Sequence, residues 1–198
     1  MPTLETILAM SGFAVAASAT PGPVNIIGAM TGARYGMGQA LIFVTGATAS
    51  FLFILITFGA GLLRGAEWIT ALQVPMIVIG STYLVWMAVG LLRDDGVTDR
   101  PTFLRTPGFW SGVLVQGLNP KAWLAVVSSL SAFVLPLTDR VTGLAVFAAL
   151  FGAICWTSLA MWAWGGAQIT PNRMRLFNRA MALALVVAVT WMLGKTFF

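Results

Sequence analysis

The sequence predicts an all-α membrane protein whose six transmembrane helices form a 3+3 inverted-topology repeat, with helices one and four broken. Three observations carry that expectation. Of the 198 residues, 59% are hydrophobic and only 9% charged, whereas a soluble domain carries about 25% charged residues; polar surface is too scarce to coat a core in water. Six apolar runs follow one another, each long enough for the roughly 20 residues that cross a hydrocarbon layer. The first and fourth of these runs are each interrupted by proline.

The first run is read as Leu4–Ala29. Ala17-Ser18-Ala19 within it resembles a signal-peptidase site, but the segment ahead carries Glu5 and neither Lys nor Arg, so the run is expected to stay as a helix. The second and third runs are Gln39–Leu63 and Trp68–Leu92. A stretch rich in Asp, Arg, Thr and Pro follows, over about 93–108. The second half has Phe109–Phe133, Val141–Gly165 and Leu176–Phe197. Strands of an outer-membrane barrel are about half as long and alternate in polarity, which excludes that class. The whole of 1–198 is thus a single transmembrane domain, with repeat 1 at about 1–92 and repeat 2 at about 109–198. It leaves no room for a nucleotide-binding engine. Three is odd, so two related halves must enter the membrane from opposite sides.

Charge sets the expected orientation. Arg34; Arg93, Arg100 and Arg105; and Arg173, Arg175 and Arg179 follow runs one, three and five, while the opposite side has Arg64, Arg140 and Lys195. Seven against three places the first set in the cytoplasm and both termini outside. This basic balance needs no nucleic acid to explain it. Cys155 is the sole cysteine and histidine is absent, so neither a disulfide framework nor a metal or haem site is expected, and no cofactor is implied.

The interruptions are Thr20-Pro21-Gly22-Pro23 and Asn119-Pro120. A proline lacks the N–H and clashes with the carbonyl four residues back, so Pro21, Pro23 and Pro120 should free the carbonyls of Ala17, Ala19 and Gln116. At membrane depth such groups are tolerated only where protein or a wet cavity receives them. Asn119 reads as an N-cap with Pro120 at the first helical position, and Thr20-Pro21 as the same pattern. Each break would then start a half-helix whose free N–H groups suit a carboxylate. Breaks at matching positions in two halves point to a binding site near the midplane.

Lys121, next to Pro120, is the only charged residue placed deep inside any run; Glu5, Arg179 and Lys195 lie within a few residues of run ends. Insertion scales put a central lysine at about 2.5–3.5 kcal/mol, which makes it a candidate site residue. It can pair with a substrate carboxylate, release its proton to couple transport to a proton gradient, or donate to a freed carbonyl as polar glue. Snorkelling is hard from so far inside the run. Glu5, Glu67 and Asp139 lie at or near helix ends, so a carboxylate relay through the membrane is not expected. Thr45, Thr48, Ser50, Tyr83, Gln116, Ser128 and Ser129 are read mainly as bonding their own helix or a neighbour. Gly28, Gly32 and Gly36 recur every four residues and Gly46 precedes Ser50 at the same spacing, a pattern that permits close helix packing and suits a homodimer. Trp123 stands out among the tryptophans because it follows Lys121 by two positions.

Ala19-Thr20-Pro21-Gly22-Pro23-Val24-Asn25, followed by Gly36 and Gly46, resembles the first-helix signature of the lysine-exporter (LysE/RhtB) superfamily. Asn119-Pro120-Lys121-Ala122-Trp123 resembles that of its fourth helix. With Leu176-Phe177-Asn178-Arg179-Ala180-Met181-Ala182, these stretches are similar to the cysteine/O-acetylserine exporter branch. The resemblance implies a bacterial inner-membrane exporter of amino acids or derivatives, commonly driven by protons. Many relatives have Asp or Asn where this chain has Val24, which removes an acidic group from the site. Lone Cys155 argues against the thiol-redox branch.

The expected mechanism is export of small, neutral amino acids. Lys121, with the half-helix starts at Asn119-Pro120 and at Thr20, Pro21, Gly22 and Pro23, would hold the carboxylate. Asn25 and Asn119 would add side-chain hydrogen bonds, and the halves would rock about the site. A channel would want a ring of polar groups that one lysine does not supply. A non-transporting scaffold is the other rival, and an intramembrane enzyme lacks a nucleophile–base pair.

Overall fold

The computed structural model describes residues 1–63 and 107–197, and between them the helical positions 75, 78, 79, 81, 82, 85, 86, 88, 89 and 92. The rest of Trp68–Leu92, with Tyr83, and nearly all of the linker lie outside the described residues. Every element among the described residues is helical: α1 (Leu4–Ala19), α2 (Pro23–Leu63), α3 (Phe109–Gly117), α4 (Pro120–Ser129), α5 (Arg140–Ala167) and α6 (Met174–Phe197). A π turn, Leu130–Val134, extends α4, and a 3-10 turn, Pro171–Arg173, leads into α6.

The first two spans differ from the sequence reading at their junction. Ala29 does not end one span, nor does Gln39 begin the next; helix continues through both. The chain reverses at one residue, Gly36, with φ 77 and ψ 171, a backbone region that side-chain-bearing residues essentially never occupy. A single glycine thus replaces the expected loop. The reversal brings Gly28 back against Phe43, whose Cε1 would lie 3.9 Å from a Cβ at that glycine. Gly36 itself meets nothing within 4 Å, so it is a turn and not a packing contact.

The other glycines of that pattern do pack. A Cβ on Gly32 would overlap the Ala163 carbonyl, and one on Gly166 the Ala29 carbonyl; α2 and α5 therefore run backbone to backbone. Gly46 and Gly112 do the same between α2 and α3, against the carbonyls of Phe109 and Phe43. Small residues make such approach available where no hydrophobic drive separates protein from lipid.

These contacts fix relative direction. Residues 37–63 run antiparallel to α5, since Leu52 meets Gly152 and Leu144 meets Gly59. They run parallel to α3: the Gln39 Nε2 amide donates to the Pro107 carbonyl at 2.7 Å, and Gly117 lies beside the Ser50 hydroxyl. α1 runs parallel to α5, with Phe13 against Phe151 and Trp162 reaching Ala19. Between these elements sits a core of Phe43, Phe51, Phe147 and Phe151, all nearly inaccessible. Phe51 and Phe151 stack at 4.1 Å. The core holds α1, α2 and α5 around the junctions at which α1 and α3 end.

Candidate functional site

The stretch between α1 and α2 is built by its prolines. Thr20 precedes Pro21 and is pushed out of the helical region to φ −63, ψ 133. It closes α1 as its C-cap, and its hydroxyl donates back to the Ala16 carbonyl. The sequence reading made Thr20 an N-cap; the second proline overrides that assignment, because α2 starts only at Pro23. The first backbone bond of α2 runs from Ile26 N–H to the Gly22 carbonyl at 3.0 Å, so the N–H groups of Val24 and Asn25 precede its ladder.

The second junction, between α3 and α4, is shorter. Asn119 sits at φ −81, ψ 107, caps α4 by accepting from Lys121 N–H at 3.2 Å, and is followed by Pro120 in the first helical turn. Its Nδ2 donates to Gln116 Oε1 at 3.0 Å. The Trp123 indole donates to the Gly117 carbonyl at 2.8 Å, bridging the gap from the helix below.

Lys121 joins the two places. Its ammonium donates to the Thr20 carbonyl at 2.7 Å, although 101 positions separate the two residues. Gly22 lets the lysine stem lie close: a Cβ there would stand 3.2 Å from Lys121 Cδ and 3.4 Å from Nζ. Asn25 Nδ2 donates to the Ser18 carbonyl at 2.7 Å, and the Trp162 indole to the Ala19 carbonyl at 3.1 Å. The Gln116 carbonyl is taken by Asn119 N–H at 3.1 Å. Of the carbonyls that the prolines were expected to release, those of Ala19 and Gln116 are received by protein. Side-chain donors reach Ser18, Ala19 and Thr20, whereas the sequence reading expected Ala17 and Ala19 in this stretch.

Thr20, Gly22, Asn25, Asn119 and Lys121 thus meet at one joint. Pro23 and Pro120 are buried beside it and shape the backbone, while Pro21 is exposed. Two spaces adjoin the ammonium. A recess of about 30 Å³ is lined by Ser18, Asn25, Gln116, Asn119, Lys121 and Cys155, among others. A wider crevice of about 780 Å³, mostly apolar, lies toward α6 and is lined by Thr20, Pro21, Pro23, Lys121, Ser128 and Leu183, among others. Each asparagine amide places one of its two N–H groups on the protein, Asn25 on Ser18 and Asn119 on Gln116, while the ammonium and the start of α2 are the charged and dipolar groups best suited to an incoming anion.

Ser18, Gln116, Cys155 and Trp162 belong to the joint but were not singled out as site residues from sequence. Ser18 was hidden in a signal-peptidase-like triplet. Gln116 was grouped with ordinary intrahelical polar residues, although its place four positions before Pro120 is a usable signal. Cys155 and Trp162 come from α5, which has no break, and only the fold brings them near.

The chain matches the family model described as LysE type translocator over residues 15–197. The cysteine/O-acetylserine efflux proteins of Escherichia coli O1:K1 / APEC, Escherichia coli (strain K12) and Shigella flexneri serotype 5b (strain 8401) are each 27% identical to it over 194 residues. That alignment covers 90% of this chain and 91% of each relative. No solved structure matches it. A family match over nearly the whole length, on a helical chain too apolar for water, makes this protein a multi-pass membrane transporter, not an enzyme, that belongs to the LysE type translocator family.

Proposed function

We propose that the cargo of this amino-acid efflux transporter is a small, neutral amino acid or derivative of the cysteine/O-acetylserine class, bound at the joint around Lys121 in a bacterial inner membrane. The observation that carries this reading is the 2.7 Å bond from the Lys121 ammonium to the Thr20 main-chain carbonyl. It places a cation between two helix starts, where a free carboxylate is a stronger partner than a neutral carbonyl. In the mechanism, the carboxylate takes the ammonium from Thr20 and the N–H groups of Val24 and Asn25 at the start of α2 complete its shell. Asn25 and Asn119 hold the two junctions in shape.

Several features support alternating access by two inverted halves. α1 and α2 meet across a helix interruption, as do α3 and α4. Residues 109–134 run opposite to residues 4–35, and α5 runs opposite to residues 37–63, the relation that an inverted repeat requires. The recess of about 30 Å³ has room for only about two water-sized groups, so no open pore runs through it in this conformation. Rocking of the halves would separate Lys121 from Thr20 and admit cargo. The same ammonium is our candidate for the proton-coupled step, and the charge asymmetry supports termini on the outer side.

Radiolabelled serine, cysteine, O-acetylserine, leucine and lysine offered to proteoliposomes under a pH gradient of either sign test the reading. Uptake or counterflow of the small neutral compounds, with a rate that changes when the gradient is reversed, is the expected result. An inert protein across the panel would remove it.

A further inference from the structure

The recess behind Lys121 contains polar groups that the carboxylate mechanism does not use. Ser18 on α1 is 6% exposed, lines the recess, and its hydroxyl has no hydrogen-bond partner. Thr48 on α2, also 6% exposed, has an unpartnered hydroxyl as well. Both interact with the Cys155 thiol of α5, a weak hydrogen-bonding group that completes a well-formed bond to neither hydroxyl; it is 3% exposed and lines the same recess. Buried polar atoms are nearly always satisfied, and an exception calls for a missing partner. Here two such atoms from different helices surround one thiol, beside a cavity large enough for about two water-sized groups.

We propose that this recess receives the side-chain end of the cargo, with the Ser18 hydroxyl and Cys155 thiol selecting a compact hydroxyl- or thiol-bearing group. The inference rests on the reading that Lys121 takes the carboxylate. The geometry follows from the shared lining: an α-amino acid anchored at the ammonium has its side chain one or two bonds away, and the recess opens from that same lysine. A –CH2OH or –CH2SH end fills the space and gives Ser18 a partner. An isobutyl or benzyl group, or the acetyl ester of O-acetylserine, exceeds it and presses on Phe51 and Phe151, which form part of the wall, so within the proposed class serine and cysteine are preferred. Alanine fits but leaves the hydroxyl unpaired. A site built to hydrogen-bond a substrate group discriminates strongly against the analogue that lacks it.

Two measurements in proteoliposomes test this. In the first, wild-type protein and Ser18→Ala transport serine and alanine side by side. The serine-to-alanine ratio of kcat/KM should fall about tenfold in the variant, through loss of serine transport and not through gain of alanine. The second uses wild-type protein alone. Cys155 is the sole cysteine, so its labelling by methyl methanethiosulfonate can be followed by mass, and saturating serine should slow it severalfold more than saturating alanine. This arm holds whether or not Ser18→Ala folds. Transport with an unchanged ratio, or a labelling rate that ignores serine, means the recess holds water only and overturns the inference. Absence of any amino-acid transport by the wild type would instead remove the Lys121 reading, and this one with it.

Discussion

Replacing Lys121 by Met keeps most of the length of the side chain and deletes its charge. Its structural cost is small, because among the described residues the ammonium makes one bond, to Thr20, and a hydrogen bond to a charged group contributes about 1.5–3 kcal/mol. Against that stands the roughly 2.5–3.5 kcal/mol that insertion scales assign to a central lysine. The two nearly cancel, so Lys121→Met should insert and run on size exclusion as the wild type does, with a melting point in detergent within a few degrees. Cargo binding is affected far more. A carboxylate that loses its buried charge partner forfeits about 2–5 kcal/mol, a factor of roughly 30 to several thousand in affinity. Counterflow of serine in proteoliposomes, with the protein quantified in each preparation, should therefore fall below one-thirtieth of the wild-type kcat/KM. Lys121→Arg should recover little, since a planar guanidinium has no room where Gly22 already approaches the lysine stem. Wild-type kinetics in Lys121→Met would show that the ammonium is only glue for Thr20.

Gly22→Ala adds a methyl 3.2 Å from Lys121 Cδ; KM for cargo should rise severalfold with little change in melting point, and an unchanged KM would place the cargo elsewhere. Gly36→Ala forces a side chain into a region reserved for glycine, at about 1–3 kcal/mol, so the melting point should drop by several degrees in a thermal-shift assay. Gly32→Val drives a branched side chain into the Ala163 backbone; loss of folded protein on size exclusion is expected, at a cost of about 1–3 kcal/mol or more. Asp139 caps α5, and its hydrogen bonds to Thr142 hold its carboxyl below the usual aspartate range. A folded-state value below the unfolded one gives stability that is present above the unfolded value and fades as pH falls through the folded one. Melting points recorded from pH 6 downward should therefore converge for wild type and Asp139→Asn below about pH 4.

The parts of this molecule legible from sequence are those governed by local chemistry. Composition alone gave the lipid environment and the helical class, because backbone groups in lipid must bond within their own segment. Asn119-Pro120 could be read as a cap and first turn because both preferences act within two residues. The Thr20 assignment failed because two prolines compete there, and which one starts the helix depends on where α2 packs. Gly36 was grouped by spacing with Gly28 and Gly32, yet spacing cannot distinguish a glycine that admits a neighbour from one that turns the chain. The contributions of Trp162 and Cys155 were not legible, since α5 carries no local irregularity and its register against α2 is set by the close approaches at Gly32 and Gly166.

The acceptor for Lys121 is a peptide oxygen, not a side chain. That oxygen is present whichever residue occupies position 20, so point mutations there cannot delete it. A genetic screen for altered cargo range should therefore recover changes at the donor, at Gly22 or on the recess wall, and find position 20 silent unless proline or glycine shifts the main chain. Cargo preference could then drift among descendants of this gene while the tether itself persists.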